Sequence, residues 1–77
     1  MAGWQLVNSS LEKQFRFKDF NEAFAFMTRV APEAEKLGHH PDWANVYNRV
    51  TVRLSTHEAG AVTDLDFQLA SKMDAAF

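Results

Sequence analysis

The chain has 77 residues, a formal charge of −2 at pH 7, 47% apolar residues, seven Phe, two Trp and no Cys. That length makes a single domain, residues 1–77, with a small core, and the missing cysteine removes disulfide staples, thiolate nucleophiles and soft metal ligands. Interspersed charges offer no basic stripe for nucleic acid and no polybasic membrane patch, and neither a leader-like N-terminus nor a membrane-length apolar run is present. The expectation is a soluble cytoplasmic protein without direct nucleic-acid or membrane partners. Its apolar excess points to self-association.

Trp4 to Val7 reads as a short opening strand, and Asn8-Ser9-Ser10 as a turn into Leu11 to Phe17. Leu11, Phe15 and Phe17 alternate with Glu12, Gln14 and Arg16, the pattern of a half-buried strand. Asp19 with Glu22 three residues on forms a capping box. The helix after it carries Phe20, Ala23, Phe24, Met27, Val30, Ala31, Ala34 and Leu37 as an apolar stripe and ends at Gly38. Phe26 lies at the margin of that stripe, either as a rim residue of the core or as a widening of the apolar face for a partner helix in an oligomer; the partner helix is favoured. Pro32 removes a bond to the Thr28 carbonyl, so one bent helix is expected.

Val46 to Leu54 fits one long strand or a hairpin turning at Asn48-Arg49; the hairpin is the expectation. In either case Val50, Val52 and Leu54 share one face, with Thr51, Arg53 and Ser55 on the other. Thr63 caps a last helix, Asp66 reaches back to the cap amide, Val62 and Phe67 have staple spacing, and Leu65, Leu69, Met73 and Ala76 or Phe77 point inward. The order β-β-α-β-β-α predicts an α+β fold, a four-stranded antiparallel sheet with both helices on one face.

The three histidines, His39, His40 and His57, all stand beside turn residues. Imidazoles near neutrality can pass protons in both directions, and general acid–base catalysis typically contributes about 10²–10⁴-fold. Two alternatives stand beside that reading. A His-His-Pro turn can simply bond the last helix carbonyls. The histidines with a carboxylate can bind zinc or iron, although adjacent histidines point apart and no His-x-x-x-His spacing occurs, so no metal is expected. Glu35 can orient an imidazole or be solvated; Asp66 can do the same beside its capping role. Trp43 and Tyr47 can stack on a flat ring or belong to the core. Ser55 and Thr56 lack a nucleophile elbow.

Glu35-x-x-x-His39-His40-Pro41-x-x-x-x-x-Tyr47, with His57 nine residues after Asn48 and Asp66 nine residues after His57, resembles the signature of the pterin-4a-carbinolamine dehydratases. Phe17 to Val30, Asn45-Val-Tyr-Asn and Leu54-Ser-Thr-His-Glu are similar to that family too, so the likeness runs along nearly the whole chain. The resemblance implies a cofactor-free hydro-lyase that converts 4a-hydroxytetrahydrobiopterin to the quinonoid dihydropterin in tetrahydrobiopterin recycling. It implies His39, His40 and His57 as the catalytic set, Glu35 and Asp66 as supporting carboxylates, and His39, His40, Pro41, Thr56, His57, Glu58 and Ala59 as the pterin-binding residues. Implied partners are the pterin, further copies of the chain, and an aromatic amino acid hydroxylase or a transcription factor. Some members act as non-catalytic dimerisation cofactors, the alternative function.

Three features depart from the family pattern. Gly38 replaces a frequent acidic residue, Pro32 is unusual in its helix, and relatives commonly carry an additional N-terminal helix, whereas this chain starts almost at the first strand. An oligomer is still expected, with dimers joined through sheet edges and a tetramer favoured.

Overall fold

Polar-apolar alternation and two tight loops turn each half of the chain into a hairpin. In the computed structural model, which describes residues 2–77, β1 (Gln5–Val7) pairs antiparallel with β2 (Ser10–Arg16), and β3 (Asp42–Val46) pairs antiparallel with β4 (Arg49–Leu54). β2 and β4 join the hairpins in the order β1-β2-β4-β3, with Leu11 opposite Leu54 and Phe15 opposite Val50. α1 (Phe20–Leu37) and α2 (Asp64–Ala76) follow the respective hairpins, and a 3₁₀ turn over His57–Ala59 precedes α2. The α+β architecture is the one the element order predicts.

The core lies between the sheet and both helices. Phe15, Val50, Val52 and Leu54 from the sheet meet Ala23, Phe26, Val30 and Ala34 of α1 and Leu69, Ala70 and Met73 of α2. Trp4 closes one side: its indole N–H donates to both Asp74 oxygens at 3.1 Å, while Lys13 Nζ, 2.8 Å from Asp74 Oδ1, stands 4.7 Å from the Phe15 ring centroid. No buried side-chain nitrogen or oxygen among the described residues lacks a partner, and no helix among them is long and apolar enough to cross a membrane.

Two expectations are corrected. Phe26 is fully buried, with its ring centroid 4.7 Å from that of Phe15, so it is a core residue and not a docking residue for another helix. Phe20 and Phe24 are instead 50% and 55% exposed. α1 carries phenylalanines on more than one side, so its spacing alone did not say which side meets the sheet. The second hairpin turns at Tyr47-Asn48, one residue earlier than Asn48-Arg49: Val46 pairs with Arg49, and Tyr47 takes the positive φ of 51°. Asn48 contributes through its side chain, donating to the Phe17 carbonyl at 3.1 Å, while the Asn48 carbonyl accepts from Phe17 N–H at 2.8 Å.

Half of the capping box expected at the start of α1 is formed: Asp19 Oδ1 accepts from Glu22 N–H at 2.9 Å, but Glu22 Oε1 accepts from Lys18 N–H, one residue before the cap, and not from Asp19 N–H. α1 runs unbroken through Pro32. Near that proline, Glu33 lies 3.5 Å from Lys36 and 3.4 Å from Lys72, and the Lys36 charge first, then Lys72, holds its carboxyl below the usual range.

Candidate active site

The site begins at the end of α1. Gly38 sits at φ 62°, which L side chains rarely adopt, and the chain closes with Gly38 N–H on the Glu35 carbonyl and His39 N–H on the Ala34 carbonyl, both at 3.1 Å. This is the Schellman arrangement that satisfies helix C-terminal carbonyls. The capping alternative is therefore realised by the backbone, which leaves both imidazoles available.

Adjacent side chains then diverge. His39 turns inward, its side chain 11% exposed, and its Nε2 shares a 2.5 Å hydrogen bond with Asp66 Oδ1. His40 turns outward, its side chain 66% exposed, with Nε2 2.7 Å from Glu35 Oε1. Glu35 thus partners the second histidine of the pair and Asp66 the first.

Asp66 is the fully buried charged residue at this centre. It occupies the first turn of α2, where an anionic side chain is favoured by the helix dipole. Its Oδ2 accepts from the Thr63 amide and the Thr56 hydroxyl, both at 2.8 Å. Its capping role and its contact with an imidazole coexist, one on each oxygen.

His57 arrives from the other side. Thr56 follows β4, its N–H donates to the Ala61 carbonyl at 2.9 Å, and its own carbonyl accepts from Ala59 and Gly60, closing the 3₁₀ turn that presents His57. The His57 ring is exposed and has no hydrogen-bond partner among the described residues. A groove of about 370 Å³ is lined by His39, His40 and His57 together with Gly38, Ser55, Glu58 and Leu65. Its size falls in the lower range of small-molecule pockets.

The three histidines and Glu58 therefore meet at one groove. Pro41, Thr56 and Ala59 are not among its lining residues, and the Thr56 side chain is buried against Asp66 and Thr63. Trp43 packs against the core; Tyr47 is exposed in the far hairpin turn, away from the groove. Gly38, Ser55 and Leu65 line the groove without having been singled out for it; their proximity to histidines in sequence, or to Asp66, was the available signal. Among the described residues no three His, Asp or Glu side chains come together as metal ligands would.

A sequence profile described as pterin 4 alpha carbinolamine dehydratase matches residues 1–76. The chain belongs to the pterin-4a-carbinolamine dehydratase family. One relative in this family, a Sinorhizobium medicae protein named "Putative pterin-4-alpha-carbinolamine dehydratase", is 62% identical over 78 residues, covering 99% of this chain and 74% of the relative. The crystal structure of a transcriptional coactivator/pterin dehydratase from Brucella melitensis superposes with a TM-score of 0.96 at 50% identity, over 99% of this chain and 83% of that one. A pterin dehydratase-like protein identified as a RuBisCO assembly factor in the alpha-carboxysome shares the dehydratase-family fold, with a TM-score of 0.77 at 23% identity over 95% of this chain and 84% of that one.

Proposed function

We propose that this chain is a cytoplasmic, cofactor-free hydro-lyase that dehydrates a 4a-hydroxytetrahydropterin, 4a-hydroxytetrahydrobiopterin in particular, to the quinonoid dihydropterin. The observation that carries the reading is the meeting of His39, His40 and His57, from two separate segments, at one groove in a fold of this family. The chemistry asks for two proton transfers. An acid protonates the hydroxyl on the C4a carbon as the C–O bond breaks and water leaves; a base removes the proton of the neighbouring ring nitrogen, whose N–H electrons form the new C=N bond. Imidazoles serve both roles near neutral pH.

The three rings have unlike partners, a buried carboxylate for His39, an exposed one for His40 and none for His57. Such asymmetry supports a division of labour in which one ring holds a proton while another accepts one. Asp66 and Glu35 orient their imidazoles, and Glu58 borders the pterin.

Homo-oligomers form in this proposal through the unpaired edges of β1 and β3 and through the exposed Phe20 and Phe24 of α1, whose rings lie 5.9 Å apart. That same exposed pair supports the second reading, a dimerisation or coactivator module, as does the likeness to the Brucella transcriptional coactivator/pterin dehydratase. The intact histidine set favours the enzyme. The deciding experiment generates the hydroxypterin with an aromatic amino acid hydroxylase and follows its dehydration. Wild type should exceed His57→Ala by at least about 10²-fold; equal rates would remove the catalytic proposal.

A further inference from the structure

The buried carboxylate that holds His39 is itself held, and the residue that holds it also closes the turn carrying His57. We infer that Thr56 is a positioning residue, which sets the His39–Asp66 pair in register with the His57 turn. The inference rests on the dehydratase reading for its kinetic consequence and on hydrogen bonding alone for its structural one.

Thr56 is nearly buried, at 9% exposure, and every polar group it has is used. Its Oγ1 lies 2.8 Å from Asp66 Oδ2 and 2.6 Å from Thr63 Oγ1. A carboxylate can only accept, so the single Thr56 hydroxyl proton points to Asp66, and the Thr63 hydroxyl must then donate to Thr56. The result is a directed chain, Thr63 to Thr56 to Asp66, ending at the His39 ring. Hydrogen bonds to ionised groups are the strong members of such networks.

The backbone of the same residue fixes the other histidine segment. Thr56 N–H binds the Ala61 carbonyl at 2.9 Å, and the Thr56 carbonyl receives Ala59 at 3.1 Å and Gly60 at 2.9 Å. Side chain and main chain of one residue therefore tie the inward-facing His39 and the exposed His57 to a common point. A threonine retained only to fill space or favour a strand would not need its hydroxyl aimed at a carboxylate.

The test compares Thr56→Val, which keeps the shape and removes the hydroxyl, with Thr56→Ser, which keeps the hydroxyl. Side-chain ¹⁵N spectra of the histidines are recorded on the free protein, and dehydration kinetics on the same samples. Thr56→Val should displace the His39 Nε2 resonance and leave His40, whose partner is Glu35, unchanged. It should also lower kcat by about 10–10²-fold, the scale of a small misplacement of a reacting group, with KM within about threefold. Thr56→Ser should restore both readouts.

Wild-type His39 resonances in Thr56→Val, or a serine variant no better than valine, would overturn the inference, as would lowered thermal stability with kcat intact. Should the valine chain not fold, Thr56→Cys, a weak donor, carries the same comparison. If wild type does not dehydrate the hydroxypterin, the functional reading falls alone, and the spectra still decide the role of Thr56.

Discussion

Replacing Asp66 by Asn separates the two jobs of this side chain. Oδ2 accepts from two donors, the Thr63 amide and the Thr56 hydroxyl, so the Asn carbonyl oxygen takes that side and its NH₂ group is driven to the Oδ1 side, 2.5 Å from where His39 Nε2 lies in the wild type. An NH₂ group there requires Nε2 to accept, which forces the His39 proton onto Nδ1. The cap survives and the imidazole is held in one imposed tautomer.

Stability should fall modestly, because both bonds at the cap persist without their charge and the helix dipole loses an anion worth about 0.3–1 kcal/mol. A total of about 1–3 kcal/mol is expected, by the usual difference between charged and neutral hydrogen bonds, or roughly 4–8 °C of Tm per kcal/mol for a domain of this size. Activity should fall much further, by about 10²–10⁴-fold in kcat, as expected when a carboxylate no longer sets the working tautomer of a catalytic histidine. Thermal unfolding and the coupled dehydration assay read the two effects on one preparation. Asp66→Asn with kcat within threefold of wild type would refute the role given to the His39–Asp66 pair.

Other outcomes follow from single features. Phe26→Ala should cost about 3–5 kcal/mol in chemical denaturation, since that ring is fully buried, whereas Phe24→Ala, at 55% exposure, should leave subunit stability nearly unchanged and weaken association measured by light scattering. Gly38→Ala should cost about 1–2 kcal/mol from left-handed backbone strain alone, because an added Cβ meets nothing within 4 Å; Gly38→Asn should cost less. Glu33→Gln bears on pH: the lysines lower the folded carboxyl below its ordinary 4.5, so the charge stabilises above that value and the benefit disappears as pH falls through the lower folded one. The wild-type advantage over Glu33→Gln should be small at pH 7, smaller at pH 3, and reduced by 1 M salt.

The parts of the fold legible in the sequence are those decided within a few residues. The Asp19 and Thr63 helix starts, the Gly38 stop, and the alternation of Val50, Val52 and Leu54 are local, and the structure has them as expected. The side of α1 that faces the sheet was not legible, because Phe20, Phe24 and Phe26 place apolar surface around much of the helix and only the partner selects among them. The Tyr47 turn is not legible in the sequence, where asparagine is expected to supply the positive φ; Asn48 instead acts through its amide, and Asn45 braces the turn by donating to the Tyr47 and Arg49 carbonyls. At the site, buried Asp66 is readable as a cap, but its bond to His39 spans 27 residues and depends on how α2 packs. Family likeness, and not periodicity, brought His57 to the other two histidines.

A titration with a non-reactive dihydropterin, followed through the side-chain ¹⁵N resonances of the protein, addresses the central proposal most directly. Saturable shifts of His39, His40 and His57 at one shared midpoint are expected if the groove they line takes the pterin. Saturation that leaves any one of the three rings unmoved would contradict a site built from all three.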